Sequence, residues 1–248
     1  MNTFNEIIRL VKASERIVIL TGAGISTESG LPDFRSDNGF WTKNKPIQFN
    51  EFLLSEEKQR LSWERNIELH SLLKKIKPNI GHAFVEKIIN RQKNNYLITQ
   101  NIDGLHQKSG IPSNKIIEIH GNAIKAACLD CMTKQNILNF HDAIKAEKQL
   151  PRCNVCGGIV KVATISFGQP MNEVDMMNAS NIVEDSDLMI VMGSSLKVLP
   201  AGKLPNLARQ SGSKLIILNR EETRYDASAE IVINDELQNI CNRLNEEL

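Results

Sequence analysis

Four of the five cysteines fall in two pairs, Cys128-x-x-Cys131 and Cys153-x-x-Cys156, and that spacing is the most specific chemical signal in the chain. Each short turn can present two thiolates to one tetrahedral ion, so the pairs together suit a four-thiolate zinc site. With every position taken by sulfur the site is closed to substrate, which makes it structural. In a reducing compartment such pairs are metal ligands more often than disulfides. Cys241 stands alone near the C-terminus, a buried or free thiol with no assigned role.

Polar residues gather where apolar strands end. LITQNIDGLH places Gln100, Asn101, Ile102 and Asp103 directly after a strand, and KIIEIHGN places His120 and Gly121 after another. Turn chemistry alone accounts for the Asn, Asp and Gly. His120 has no such local reason. At the carboxyl end of a buried strand, where open parallel sheets bind ligands, an imidazole can serve as a general base near neutral pH. The other four histidines have structural readings: His70 and His141 sit in charged helical surroundings, His82 starts a helix, and His106 braces the loop after NIDG.

Two further stretches could contact a ligand. RIVILTGAGIST is a short apolar strand running into Gly22-Ala23-Gly24 at a helix start, a turn that lets backbone N–H groups approach a pyrophosphate. Thr27 occupies the third glycine position of the usual dinucleotide fingerprint, and no acidic residue ends a second strand some 20 residues on. Dinucleotide binding and a plain glycine turn both remain open on these residues. Behind it, Gly30-Leu31-Pro32-Asp33-Phe34-Arg35-Ser36 reads as a loop, either with a surface ion pair or as a flap over a ligand.

The elements that must position these groups follow from periodicity. FNEIIRLVKASE has apolar residues at helical spacing, residues about 51–76 and 81–92 are helical, and 202–211 is helical again. Strands are expected at RIVIL, NNYLIT, KIIEIH, DLMIVM, KLIIL and IVIND. The near-continuous apolar runs LMIVM and LIIL fit strands buried on both faces. Strands alternating with helices predict an α/β fold, a Rossmann-like doubly wound parallel sheet. Residues 36–80 and 122–163 interrupt the alternation, so a smaller inserted domain is expected from them: a helical module and a zinc-binding module. The large domain then comprises 1–35, 81–121 and 164–248.

Bulk properties exclude several classes. The chain has 248 residues, is 41% apolar and 24% charged, and carries a formal charge of +1. That balance offers no electrostatic case for nucleic acid or a membrane surface. No run reaches the roughly 18 apolar residues of a membrane span. The N-terminus carries charge through its apolar positions and does not read as a secretory signal. A soluble cytoplasmic protein, monomeric by default, is the expectation.

Taken in order, TGAGIS (21–26), GLPDFRS (30–36), TQNIDGLH (99–106), HGN (120–122), the cysteine pairs, FGQ (167–169), GSSLKVLPA (193–201) and LNRE (218–221) resemble the sirtuin family of NAD-dependent protein-lysine deacylases. The resemblance covers nearly the whole chain. It implies that NAD, consumed as co-substrate, lies in a cleft between the two domains and that an acetylated-lysine protein or peptide enters from the opposite side. Gly22, Ala23, Gly24, Ser26 and Thr27 would contact the phosphates, and Asp33, Phe34 and Arg35 would belong to the loop that covers the cofactor. Gln100, Asn101, Ile102 and Asp103 would line the ribose and nicotinamide pocket. Gly193, Ser194, Ser195, Asn219, Arg220 and Asp235 would hold the adenosine half, and Ile165, Phe167 and Gly168 the substrate backbone. Cys128, Cys131, Cys153 and Cys156 would bind zinc. His120, with Asn101, would be catalytic: the amide oxygen of acyl-lysine displaces nicotinamide, and His120 acts as base on the ribose hydroxyls so that the 2′-oxygen attacks the resulting imidate. The products would be lysine, nicotinamide and O-acetyl-ADP-ribose. A mono-ADP-ribosyltransferase or NAD hydrolase on the same scaffold is the alternative. Two departures stand out. Gln169 replaces the family's usual Glu after Phe-Gly, and the helix around SWERNIELHSLL lacks the Tyr-x-x-Arg pair that reads succinyl groups, which favours uncharged acyl chains.

Overall fold

The computed structural model describes residues 3–32, 45–147 and 149–247. Helix α1 (Thr3–Ala13) turns Phe4, Ile7, Ile8, Leu10 and Val11 inward and leads to strand β1 (Ile17–Thr21), which is buried throughout. Helices α2 (Phe49–Leu54) and α3 (Glu56–Leu73) divide the expected single helix at Ser55, whose side chain caps α3 by accepting a hydrogen bond from the Lys58 N–H. Then come α4 (Ile80–Arg91), β2 (Tyr96–Thr99), the short α5 (Leu105–Lys108) and β3 (Ile116–Glu118).

Strands β4 (Gly121–Cys128) and β5 (Lys134–Asn136), helix α6 (Leu138–Glu147) and strand β6 (Val160–Thr164) form the insertion. The chain returns through α7 (Glu173–Glu184), β7 (Leu188–Met192), α8 (Leu204–Gln210), β8 (Lys214–Leu218), β9 (Ile231–Ile233) and α9 (Leu237–Asn245). Helix α7 is absent from the sequence-based expectation.

Six parallel strands form the large sheet in the order β3-β2-β1-β7-β8-β9. Once the inserted strands are set aside this is the doubly wound order, and it reverses between β1 and β7. The small sheet, β5-β4-β6, is antiparallel. One apolar layer packs α1, α4 and α9 on one face of the large sheet, and a second packs α7 and α8 on the other. A third surrounds Trp63 of α3 with Phe140, Ile144 and Val160.

Two expectations need correction. The glycine turn runs into a seven-residue 3-10 segment, Ala23–Ser29, and not a regular helix: its hydrogen bonds close over three residues, from the Ile25 N–H to Gly22 and the Gly30 N–H to Thr27, and Gly30 ends it in a left-handed cap. The strand expected to carry His120 stops at Glu118 and is half-buried, since β3 is the edge of the sheet. Among the described residues no helix is long and apolar enough to cross a membrane.

Candidate active site

At the reversal between β1 and β7 the two strand ends press their backbones together. The Gly22 N–H donates to the Met192 carbonyl at 3.1 Å and the Gly24 N–H to the Gly193 carbonyl at 2.9 Å. Gly193 adopts φ +62°, and a Cβ there would meet the backbone of Gly24 and Ile25. Only glycine combines that conformation with that closeness. The result is a side-chain-free cradle at the place where doubly wound sheets bind their ligands.

From β2 the chain supplies the polar wall. The Gln100 N–H donates to the Thr21 carbonyl at 2.9 Å, and its Nε2 donates to Ser194 Oγ at 2.8 Å, tying two strand ends together. Asn101 Nδ2 donates to the Gly22 carbonyl at 3.1 Å and to Ser26 Oγ at 3.2 Å. Its Oδ1 is buried without a partner, an orphaned acceptor of the kind a bound hydroxyl would satisfy. Asp103 accepts from Ser26 Oγ at 2.8 Å and from the Leu105 N–H at 2.9 Å. Burial raises its carboxyl pKa, and those two hydrogen bonds oppose the rise.

His120 sits in the turn between β3 and β4. Its Nδ1 lies 3.0 Å from the Gln100 carbonyl oxygen, which can only accept, so Nδ1 carries the proton and Nε2 keeps its lone pair. Desolvation lowers the imidazole pKa, with the carbonyl contact pulling the other way, so the ring is neutral at pH 7. Gly121 follows at φ +76°, where a Cβ would collide with the Ala163 carbonyl. That approach lets the outgoing and returning strands run side by side: the Ile165 N–H donates to the His120 carbonyl at 2.9 Å. A neutral base is thereby fixed at the seam of the two sheets.

One cleft of about 770 Å³ takes in Gly22, Ala23, Gly24, Ser26, Thr27, Gln100, Asn101, Ile102, Asp103 and His120. It also takes in Ile165, Phe167, Gly168, Gly193, Ser194, Ser195, Asn219, Arg220 and Asp235. Asp33, Phe34 and Arg35 lie outside the described residues. The cleft's far end is acidic and basic in alternation, Arg220 Nη1 lying 3.4 Å from Glu236 and Nη2 3.5 Å from Glu221. At the other side Gln169 closes a turn, its N–H reaching the Ser166 carbonyl at 3.0 Å and its Oε1 accepting from the Ser166 N–H at 3.1 Å. Sequence reasoning assigned no role to Asn66, Leu69, Leu72 and Leu73 of α3, nor to Lys197, Val198 and Leu199, all of which line the cleft. The helical residues gave no local signal, and the loop's role depends on partners distant in the chain.

His106 is fully buried behind the site, with Nε2 2.9 Å from Thr21 Oγ1 and its ring 4.9 Å from that of His82. His70 and His141, expected in charged helical surroundings, are buried and pack edge to face at 5.0 Å.

The four paired cysteines gather with their sulfurs within 4.8 Å of one another. Sγ of Cys128 and Cys156 are 3.5 Å apart, and those of Cys131 and Cys153 3.6 Å. Sulfurs about 2.3 Å from a shared tetrahedral ion would be separated by nearly that distance, so the set fits zinc.

A model of the Sir2 family matches residues 22–200. An NAD-dependent protein deacetylase of Thermodesulfovibrio yellowstonii is 41% identical over 91% of this chain and 88% of its own length. One of Clostridium tetani is 37% identical over 100% of this chain and 99% of its own. Among solved structures, a Sir2 complex with a p53 peptide and NAD+ superimposes with a TM-score of 0.86 at 32% identity, covering 98% of both chains. Sir2 bound to acetylated peptide gives 0.87 at 31% identity, again over 98% of each chain.

Proposed function

The chain belongs to the Sir2 family, and on that premise we propose that it is an NAD-dependent protein-lysine deacetylase, moving the acyl group of acyl-lysine to ADP-ribose with release of nicotinamide and O-acetyl-ADP-ribose. The observation that carries the reading is His120, a neutral imidazole whose Nδ1 is committed to the Gln100 carbonyl and whose Nε2 is left free at the cleft.

Bound NAD supplies a ribose carbon activated by its nicotinamide leaving group, which the amide oxygen of acyl-lysine captures. The glycine cradle of Gly22, Gly24 and Gly193 admits the phosphates, with Ala23, Ser26 and Thr27 beside it. Asn101 offers its unpartnered Oδ1 to a ribose hydroxyl, and Gln100, Ile102 and Asp103 shape the pocket around it. Ser194, Ser195, Asn219, Arg220 and Asp235 hold the adenosine half. His120 Nε2 accepts the proton from a ribose hydroxyl, which frees that oxygen to attack the captured acyl group. Ile165, Phe167 and Gly168 bind the peptide backbone by strand addition. Residues 36–80 and 122–163 form the small domain, with zinc on Cys128, Cys131, Cys153 and Cys156. Paired cysteines gathered as metal ligands and not as disulfides support a cytoplasmic location.

Acetyl is the acyl group we propose: the α3 wall of the cleft is apolar at Leu69, Leu72 and Leu73, and Arg65, the cation on the same wall, donates to the Lys45 carbonyl at 2.8 Å. Asn66 has both ends of its amide engaged, Nδ2 with the Ala123 carbonyl at 3.0 Å and Oδ1 with His141 Nε2 at 3.0 Å, and Leu69, Leu72 and Leu73 are its neighbours along the same wall.

The test is incubation with NAD and an acetyl-lysine peptide, with products identified by mass spectrometry. Peptide-dependent O-acetyl-ADP-ribose is expected. Loss of NAD at the same rate without peptide would instead mark a hydrolase.

A further inference from the structure

Leu196 is a buried, non-glycine residue held at φ +57°, the left-handed region that a branched apolar side chain rarely occupies. A conformation of this kind persists only where its surroundings impose it, and such positions gather at functional sites. The restraint on Leu196 comes from both sides. Its N–H donates to Ser194 Oγ at 3.3 Å, and its carbonyl accepts from Nη2 of Arg224. Gly202 presses on the same carbonyl so closely that a Cβ there would collide with it. Arg224 is exposed, stacked 5.4 Å from the Tyr225 ring, and belongs to no element of the sheet.

The residues on either side of Leu196 are held differently. Gly193 is fixed by the Leu218 carbonyl at 3.0 Å and by its contact with Gly24, and Ser194 by Gln100. These anchors do not involve Arg224. Lys197, Val198 and Leu199 follow the strained residue and line the cleft together with Phe167 and Gly168. Leu199 and Phe167 are 52% and 42% exposed and line the same cleft.

We infer that Arg224 is a positioning residue for the acyl-lysine peptide: by holding the Leu196 carbonyl it sets the wall Lys197–Leu199 against which the peptide lies, without acting on the NAD side of the cleft. This inference rests on the deacetylase reading above.

Steady-state deacetylation by the full chain, with peptide varied at saturating NAD and then the reverse, reads the effect. Arg224→Ala is expected to raise the peptide KM of the order of tenfold, the scale of one charged hydrogen bond, with kcat and the NAD KM within about twofold. Arg224→Lys, which can still donate to the carbonyl, should recover most of the loss. Gly202→Ala crowds both that carbonyl and the Arg224 Nη2 that holds it, and should reproduce the selective rise in KM. An unchanged peptide KM in Arg224→Ala, or equal rises for peptide and NAD, overturns the inference. Fluorescence anisotropy of a labelled acetyl-lysine peptide separates the two readings. If the wild type yields no O-acetyl-ADP-ribose, the deacetylase reading fails. Weaker peptide binding by Arg224→Ala with NAD binding intact still sustains the role of Arg224, and equal peptide binding by both proteins ends it.

Discussion

A histidine becomes a base only when something else fixes its proton, and at His120 that is the carbonyl of Gln100. Removing the ring removes the acceptor while leaving the glycine cradle whole. His120→Ala is expected to lower deacetylation by about 10²–10⁴-fold, the usual range for a positioned base, while NAD still binds by calorimetry. Unchanged turnover would take the histidine out of the mechanism. Because burial lowers the pKa of His120, the neutral ring persists below the ordinary value of 6.5, and activity is lost only as pH falls through the lowered value. The acid limb of the rate profile should therefore lie below that of a free imidazole, and a limb above 6.5 would contradict the burial. The grouping of the cysteines and the placing of His120 on the cleft were legible in the sequence because residue types and spacing are local, whereas Asn101, which turn chemistry alone would explain, was singled out by the resemblance. The orphaned Oδ1 of Asn101 was not legible, since it depends on what Gly22 and Ser26 leave unfilled.

Among the elements, the parallel strands were readable from their continuous apolar runs, whereas the limits of β3 and the break between α2 and α3 were not. An edge strand takes its burial from neighbours, and Ser55 is a cap only once the chain bends there. Strand β6 holds a residue that no pattern singled out. Lys161 is 3% exposed, with Nζ donating to the Thr164 carbonyl at 2.5 Å and the Val162 carbonyl at 3.3 Å, and burial lowers its pKa to about 7. The unfolded chain holds that proton up to the ordinary lysine value of 10.5, so between about 7 and 10.5 it binds more protons than the folded one. Stability should accordingly rise with pH across that window. In urea unfolding Lys161→Met should flatten this rise, and an identical slope in both proteins would show the amine to be solvated. The same small sheet depends on its thiolates. Zinc should be found at one ion per chain, and its removal by a strong chelator should unfold the insertion, because free energy of metal binding at such sites is folding free energy. Trp63, buried against Val160 in that core, reports the change by a red shift of its emission. Full metal loss without that shift would show that the sheet stands on its apolar contacts.

Among the described residues two sheets meet beside His120, and two pairs of buried histidines lie where the parts of the molecule join. His82 and His106 pack behind the cleft between α4 and α5, and His70 and His141 join α3 to α6. The sequence showed these residues only as members of helices and a loop; that they pair follows from the way α4 and α6 are folded back, which periodicity does not encode. Desolvation lowers all four pKa values, His82 and His141 to about 4 and His106 well below its ordinary value. A lowered imidazole pKa means that the folded chain refuses a proton which the unfolded chain accepts from pH 6.5 downward. Between pH 6.5 and about 4 the unfolded state thus binds more protons, and stability falls as pH falls, by up to about 1.4 kcal/mol per pH unit for each histidine fully committed. Asp103, whose folded pKa is raised, takes up its proton earlier when folded and offsets a part of this loss. The melting temperature is expected to drop steeply from pH 6.5 to 5, where ordinary carboxylates have scarcely begun to titrate. His82→Gln, which keeps a hydrogen-bonding side chain beside Asn79 but cannot take the proton, should show a shallower fall than the wild type. Parallel slopes for the two proteins over that interval would mean that the acid sensitivity has another origin.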